Sequence, residues 1–293
     1  MPYHCVVLVK QVPDTANITG KAMKEDGTVN RGALPAIFNP EDLHALEAAL
    51  TIKDSIPDTR VHVLTMGPPS AVQVLKDSLY RGADFVALIS DRKFAGADTL
   101  ATSYALKCAI ETIGKYDVVF CGRQAIDGDT AQVGPQTAEK LGINQITCVS
   151  TIDSLDETKR EIVATRSIEG GFEKVKAKLP VLLTITDEGY DPRPASAIKM
   201  MTFKNATTEM SDGGFDESYI TSGRDLKSEN HISLWDINAI KADPDSCGLA
   251  GSPTKVKTID LVVLKSEDIR MIENTDEAIS DMVHELIADH TLG

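Results

Sequence analysis

The chain is predicted to be an α/β protein built on a mostly parallel sheet with helices on both faces, and three observations predict it. Short apolar runs bounded by charge, glycine or proline recur through residues 4–186, as fully buried parallel strands do. Between them lie longer stretches with a 3.6-residue apolar period, and strands alternating with helices at this spacing imply right-handed crossovers. Beyond residue 160 the pattern becomes strict alternation on either side of Glu169-Gly170-Gly171, which marks an antiparallel hairpin added to the sheet.

In chain order, residues 4–9 form an apolar strand, and Lys10-Gln11-Val12-Pro13-Asp14 turns out of it. Residues 15–38 read as loop, with a small hairpin at Asp26-Gly27 between Met23 and Val29. Asn39-Pro40-Glu41-Asp42 then opens a helix: Asn39 caps, Pro40 takes the first position, and acids fill the first turn. Leu43, Leu46 and Leu50 carry its period to about residue 56. A strand at 60–65 ends on Met66-Gly67-Pro68, and a helix at 70–80, a strand at 85–89 and a helix at 98–113 follow. His62, in mid-strand, reads as a core histidine rather than a ligand. A strand at 118–121 leads through a loop to a helix at 130–141 that stops at Gly142; strands at 146–149, 162–168, 172–177 and 179–186 close the main domain, residues 1–186.

Residues 187–204 contain Asp191-Pro192-Arg193-Pro194, too rich in proline for regular structure, and are expected to form an exposed recognition loop leading into a short helix. Residues 205–233 are polar with little periodicity and read as an arm. That arm is expected to be either disordered or laid over another protein, because alone it buries too little apolar area to offset its ordering entropy; a strand at 256–264 and an amphipathic helix at 275–288 follow it.

Composition narrows the function. An apolar fraction of 42% supports a sizeable core, whereas a formal charge of −14 argues against nucleic acid and anionic membrane as partners, since both are bound by clustered Lys and Arg. The five cysteines are scattered without ligand spacing and read as buried thiols of a reducing compartment. The opening MPYHCVVLVK lacks the features of a signal peptide and no run is long enough to span a membrane, so a cytoplasmic location is expected.

The stretch Asp117 to Gly142 carries the candidate site. Strand, polar glycine-bearing loop and helix start are the arrangement by which α/β sheets hold ligands at the carboxyl ends of their strands. The first turn of a helix leaves N–H groups unpaired under a partial positive charge, which suits a phosphate. Arg123 offers a phosphate contact; Gln124, Asp127, Thr130 and Gln132 offer hydrogen bonds to adenine or ribose; Gly128 and Gly134 would let backbone approach a bulky ligand. Lys10, just beyond the first strand, is a second candidate phosphate or flavin contact. The bland alternative stays open: Asp129 with Gln132 has capping-box spacing, Gly128 suits a plain turn, and the standard dinucleotide and P-loop glycine spacings are absent. An ATP-using enzyme would have only Asp127 and Asp129 for magnesium.

The segments VKQVPDT, NPEDLHALEAAL, GRQAIDGDTAQVGPQ, VATRSIEGGFEKVKAKLPVLLT and DPRPASAIK occur in this order, and with them the chain resembles the beta subunit of electron transfer flavoproteins over nearly its whole length. The resemblance implies an adenine-nucleotide-binding, Rossmann-like fold and a larger, FAD-bearing alpha subunit on which residues 205–293 pack. It also implies a nucleotide site made of Val9, Lys10, Asn39, Pro40, Glu41, Asp42 and Met66 with Gly122, Arg123, Gln124, Ala125, Ile126, Asp127, Gly128, Asp129, Thr130, Ala131, Gln132, Val133 and Gly134. Members of the family hold either a structural AMP there or, in the electron-bifurcating type that VPDT and AIDGDTAQVGPQ resemble, an FAD reduced by NADH. That type implies ferredoxin and an acyl-CoA or lactate-type dehydrogenase as partners, with residues 15–38 a wall of the NADH pocket. Where some members use a leucine to anchor the dehydrogenase, this chain has Ala197, with Ile198 beside it.

Overall fold

The computed structural model describes residues 3–14, 35–210, 230–255 and 271–288; the expected hairpin at Asp26-Gly27 and strand at 256–264 lie outside them. β1 (His4–Leu8) leads into a short antiparallel pair, β2 (Gln11–Pro13) with β3 (Ala36–Phe38), and then into α1 (Pro40–Ser55). The alternation continues with β4 (Arg60–Met66), α2 (Val72–Arg81), β5 (Phe85–Ile89), α3 (Thr99–Ile113), β6 (Val118–Gly122) and α4 (Val133–Leu141). β7 (Asn144–Asp156), β8 (Glu161–Ile168) and β9 (Gly171–Lys178) form an antiparallel extension, and β10 (Val181–Ile185) returns to the centre. α5 (Ala197–Phe203), β11 (Thr207–Met210), β12 (Asn230–Trp235) and α6 (Asp276–Ala288) complete the described chain.

Ten strands make one sheet in the order β11-β12-β5-β4-β1-β6-β10-β7-β8-β9, parallel from β11 to β7. The apolar runs are uninterrupted where the sheet is covered on both faces: every residue of β1, β5, β6 and β10 is buried. Leu46 and Leu50 of α1 and Leu75 and Leu79 of α2 pack on one face with Val7, Val63 and Phe120; Leu106 and Ile110 of α3 pack on the other with Val6, Leu64 and Val119. The α/β expectation, including the Gly-Gly hairpin between β8 and β9, is therefore met. His62 is buried in the core, its Nε2 3.1 Å from His4 Nδ1, and loss of water pushes its pKa down to about 3. Four of the cysteines are buried and Cys148 is half-buried, all as free thiols. No helix among the described residues is long and apolar enough to cross a membrane.

Three expectations need correction. Residues 15–38 are not all loop, because β3 pairs Phe38 with Gln11 and returns the chain beside the end of β1. The strand expected at 146–149 runs from Asn144 to Asp156, its second half pairing with β8 across positions that alternate too weakly to stand out. The sheet does not stop near residue 186, and the polar stretch from 205 is not wholly an arm. β11 and β12 extend the sheet beyond β5, with Ile232 opposite Val86 and Trp235 opposite Ile89. Trp235 is fully buried with its ring 5.7 Å from Phe85, and Ile237, Ile240 and Cys247 follow it into the core. The apolar residues here are too few and too irregularly spaced to signal burial; the neighbouring strand and α3 supply the surface that buries them.

Trp235→Ala should therefore destabilise the chain by about 3–5 kcal/mol, as large-to-small changes in cores do. Denaturant unfolding checks this, and the emission of this single tryptophan should shift to the red as the core opens. An unchanged midpoint would mean that β12 is not part of the cooperative core.

Candidate functional site

The chain leaves β1 for β4 and β5 on one side and later comes back to place β6 on the other. Connections therefore diverge at the carboxyl ends of β1 and β6, and at such switch points doubly wound sheets open a crevice for ligands. Val9 and Lys10 follow β1, Met66 ends β4, Gly122 ends β6, and Arg123 to Gln132 link Gly122 to α4. Every residue of the expected site thus lies on the rim of three adjacent strands or on the helix termini above it.

The first turn of α1 holds this rim together. Asn39 occupies the cap position and is fully buried, but its side chain does not cap its own helix. Instead Asn39 Nδ2 donates to the Gln124 carbonyl at 2.9 Å, and Asn39 Oδ1 accepts from the Ile126 N–H at 3.1 Å. Glu41 accepts the Gln124 N–H on one oxygen and the Arg123 guanidinium on the other, both at 2.8 Å. Asp42 accepts the Lys10 N–H at 2.8 Å and the Gly122 N–H at 2.9 Å, so one carboxyl joins the ends of β1 and β6. Acids in a first turn are expected to serve the helix dipole. Here they satisfy backbone donors of three other segments. The capping expectation for Asn39 is corrected on the same ground, since a loop N–H competes with those of its own helix.

Burial pushes the Asp42 carboxyl up to about 7, against the pull of the Gly122 and Lys10 N–H groups and Asn39. The close approach also explains Gly122: a Cβ there would lie 2.6 Å from Asp42 Oδ1 and 2.8 Å from the Glu41 carbonyl carbon. Gly134 is a packing glycine rather than one facing a ligand, because a Cβ would meet Cys121 Sγ at 2.8 Å and Thr184 Cγ2 at 2.9 Å. It lets α4 settle onto the sheet. Gly128, by contrast, faces open space.

The loop between β6 and α4 is wound tightly. Gly128 and Asp129 both donate to the Ala125 carbonyl, and Gln124 Nε2 donates to Asp129 Oδ1 at 3.1 Å. Asp129 at φ 47° and Ala131 at φ 51° take left-handed conformations that cost non-glycine residues about 1–3 kcal/mol each. The helix begins at Val133 rather than at 130, because these two residues cannot enter it. The capping box expected of Asp129 and Gln132 does not form: Gln132 occupies the cap position without a side-chain cap bond, and its Oε1 accepts from Thr99 Oγ1 at 2.9 Å. The α4 amino terminus is thereby left without a side-chain cap. Two cations stand on the same rim, both about half exposed: Lys10 Nζ 2.6 Å from Asp127 and Arg123 2.8 Å from Glu41. Uncapped N–H groups, an open glycine and two exchangeable cations suit a phosphate. Magnesium chemistry gains no support from Asp127 and Asp129, which engage Lys10 and Gln124.

Thr99 is the rim residue that sequence reasoning passed over. It follows Asp98, which caps α3 through the Leu100 and Ala101 N–H groups and also holds the Thr254 N–H and hydroxyl. An Asp-Thr pair at a helix start gives no hint of contacts so distant in sequence.

Fold and rim together define a doubly wound α/β protein with a polar, phosphate-suited crevice at its switch point. Comparison with known proteins narrows the class. Residues 26–210 match the electron transfer flavoprotein domain. The chain is 43% identical to the caffeyl-CoA reductase-Etf complex subunit CarD of Acetobacterium woodii, over 86% of this chain and 85% of that one. It is 40% identical to the electron transfer flavoprotein subunit beta of Clostridium acetobutylicum, over 97% of this chain and 98% of that one. It is also 40% identical to the protein FixA of Azorhizobium caulinodans, over 95% and 91% of the two chains. The chain belongs to the electron transfer flavoprotein family, as a subunit of the beta type.

Two measurements probe the clasp. Gly122→Ala should push the first turn of α1 off β6 and cost about 1–3 kcal/mol, as overpacking does; wild-type stability would place the helix farther from the strand. The raised Asp42 pKa means that between about pH 4 and 7 the folded chain keeps a proton the unfolded chain has released. This group's contribution to stability therefore falls as pH rises through that window. The melting temperature of Asp42→Asn relative to wild type should move in the variant's favour over the same range, and a pH-independent difference would show that Asp42 is ionised throughout.

Proposed function

We propose that this chain is the flavin-binding beta subunit of a cytoplasmic heterodimer, taking electrons from NADH and dividing them between the alpha-subunit FAD, which serves a dehydrogenase, and ferredoxin. The observation that carries the nucleotide part is the loop before α4, where two left-handed residues and an uncapped helix start are maintained beside Lys10 and Arg123. Strained conformations of this kind persist where the surroundings over-determine them, and they cluster at ligand clamps. Asp129 is held by the Ala125 carbonyl and the Gln124 side chain, and Glu41 and Asn39 in turn grip the backbone of residues 124–126.

In this reading Lys10 and Arg123 exchange their carboxylates for phosphate oxygens, the α4 amino terminus meets the same phosphates, and Gln124, Asp127, Thr130 and Gln132 face ribose and adenine. Val9, Met66, Ala125, Ile126, Ala131 and Val133 line the rim between them. FAD, when bound, supplies hydride acceptance and one-electron release, and the protein contributes binding, orientation and electrostatics. The resemblance of VPDT and AIDGDTAQVGPQ to bifurcating members favours FAD, and the name of the Acetobacterium woodii relative, a caffeyl-CoA reductase-Etf complex subunit, supports assembly with a redox enzyme of CoA esters.

Two surfaces support the partners. α6 has no buried residue among those described and exposes Ile279, Val283 and Ile287 along one stripe, which suits packing on the alpha subunit. α5 likewise buries none of its residues and presents Ile198, 80% exposed, and Met201, 68% exposed, which suits docking of an acyl-CoA or lactate-type dehydrogenase.

The test is the flavin count of the purified heterodimer, with NADH titration followed in the visible spectrum. Two flavins, one of them reduced by NADH, are expected. One flavin with AMP released on denaturation would replace this reading with that of a beta subunit holding a structural nucleotide. Within the same preparation, Arg123→Ala and Asp129→Ala should each lower nucleotide retention without unfolding the chain; full occupancy in both would move the site elsewhere.

A further inference from the structure

The segment between β10 and α5 has the composition of a free loop, yet it is strapped to the body of the protein. His44 Nδ1 donates to the Tyr190 carbonyl at 2.6 Å, the Tyr190 hydroxyl accepts the Ile152 N–H at 2.8 Å, and the Ser196 N–H reaches the Tyr80 carbonyl at 2.9 Å. The centre of the strap is Arg193. Its Nε and Nη2 fork onto the two oxygens of Glu47, each at 2.8 Å, Nη2 also meets Asp54 at 2.7 Å, and the Arg193 N–H adds a bond to Glu47 at 3.0 Å. Glu47 is 12% exposed and Arg193 29% exposed, so the pair is largely withdrawn from water and lies between proline rings that restrict the backbone on either side.

Glu47 and Asp54 stand on α1, the helix whose first turn grips the loop between β6 and α4. A single rigid element therefore carries both the nucleotide rim and the attachment of the docking helix α5. Lysine cannot replace this arginine, since only a planar guanidinium meets both Glu47 oxygens in a fork while reaching a second carboxylate.

We propose that Arg193 is the positioning residue of the docking surface: by forking onto Glu47 and Asp54 it holds residues 187–203 in one shape and references the exposed face of α5 to the helix that grips the nucleotide loop. The inference rests on the docking role given to α5 above. Holding the loop before the partner arrives removes an ordering cost from association, so the loss falls on affinity rather than on the electron-transfer step itself.

The test uses the intact heterodimer. In Arg193→Gln, amide hydrogen exchange through residues 187–203 should rise by about tenfold or more, while residues 39–42 and 122–134 exchange as in wild type and nucleotide content is unchanged. With an acyl-CoA dehydrogenase and a lactate-type dehydrogenase tried in turn as acceptors, KM for whichever accepts electrons should rise about tenfold with kcat preserved. Arg193→Lys should fall between, and Glu47→Gln should reproduce the Arg193→Gln result from the helix side. Wild-type exchange in both Arg193→Gln and Glu47→Gln would overturn the proposal, as would raised exchange with an unchanged KM. Ile198→Asp separates the two ideas: if it leaves KM unaltered, the docking role of α5 fails, while the hold of Arg193 on the loop is still read by exchange.

Discussion

The carboxyl of Asp42 is the interaction on which the rest of the site depends. The carboxyl ends of β1 and β6 diverge at the switch point, and each leaves a backbone N–H pointing at the crevice. One buried side chain from α1 accepts both, at 2.8 and 2.9 Å. Removing this acceptor leaves the buried Gly122 N–H unsatisfied, which costs about 1–3 kcal/mol, and frees the partly buried Lys10 N–H as well. The crevice is therefore closed at its base by a helix that cannot move without exposing that cost, and Gly122 is present because nothing larger fits beside it.

On this base the neighbouring residues build outward. Asn39 and Glu41 hold the backbone of Gln124 and Ile126, and from that segment the Ala125 carbonyl and the Gln124 side chain reach Asp129, one of the two left-handed residues before α4. The strain delays the start of α4 to Val133 and leaves its amino terminus open to an anion. The same helix that grips the loop receives Arg193 farther along its length, so the rim and the segment before α5 are both tied to α1. Its Ala45, Leu46, Ala48, Ala49 and Leu50, buried against the sheet, anchor the beam itself.

Much of this was legible in the sequence, for identifiable reasons. Strands buried on both faces, such as Phe85–Ile89 and Val118–Gly122, read as apolar runs with sharp edges, and the Asn39-Pro40 pair marked the start of α1 to the residue. Lys10 and the residues after Gly122 stand out because loops that follow strands are chemically distinctive, whereas Val9, Met66 and Asn39 to Asp42 join them through the family resemblance. What the sequence hid was partner choice. Asn39 and Glu41 looked like local capping groups, and Gly134 like a ligand glycine, whereas their partners are distant in sequence and set by the packing of α1 and α4 on the sheet. β12 was hidden for a related reason. Its burial comes from β5 beside it, and a short strand in polar surroundings carries too little pattern of its own.

The most direct measurement of the central claim is the affinity of the nucleotide-depleted heterodimer for FAD, by calorimetry, in Asn39→Ala and Glu41→Gln. These residues are expected to touch the loop rather than the ligand. If the first turn of α1 shapes the binding loop, both variants lose about tenfold or more in affinity while the sheet stays folded at the temperature of the titration. Wild-type affinity in both would show that the loop holds its shape unaided and that α1 is only a neighbour.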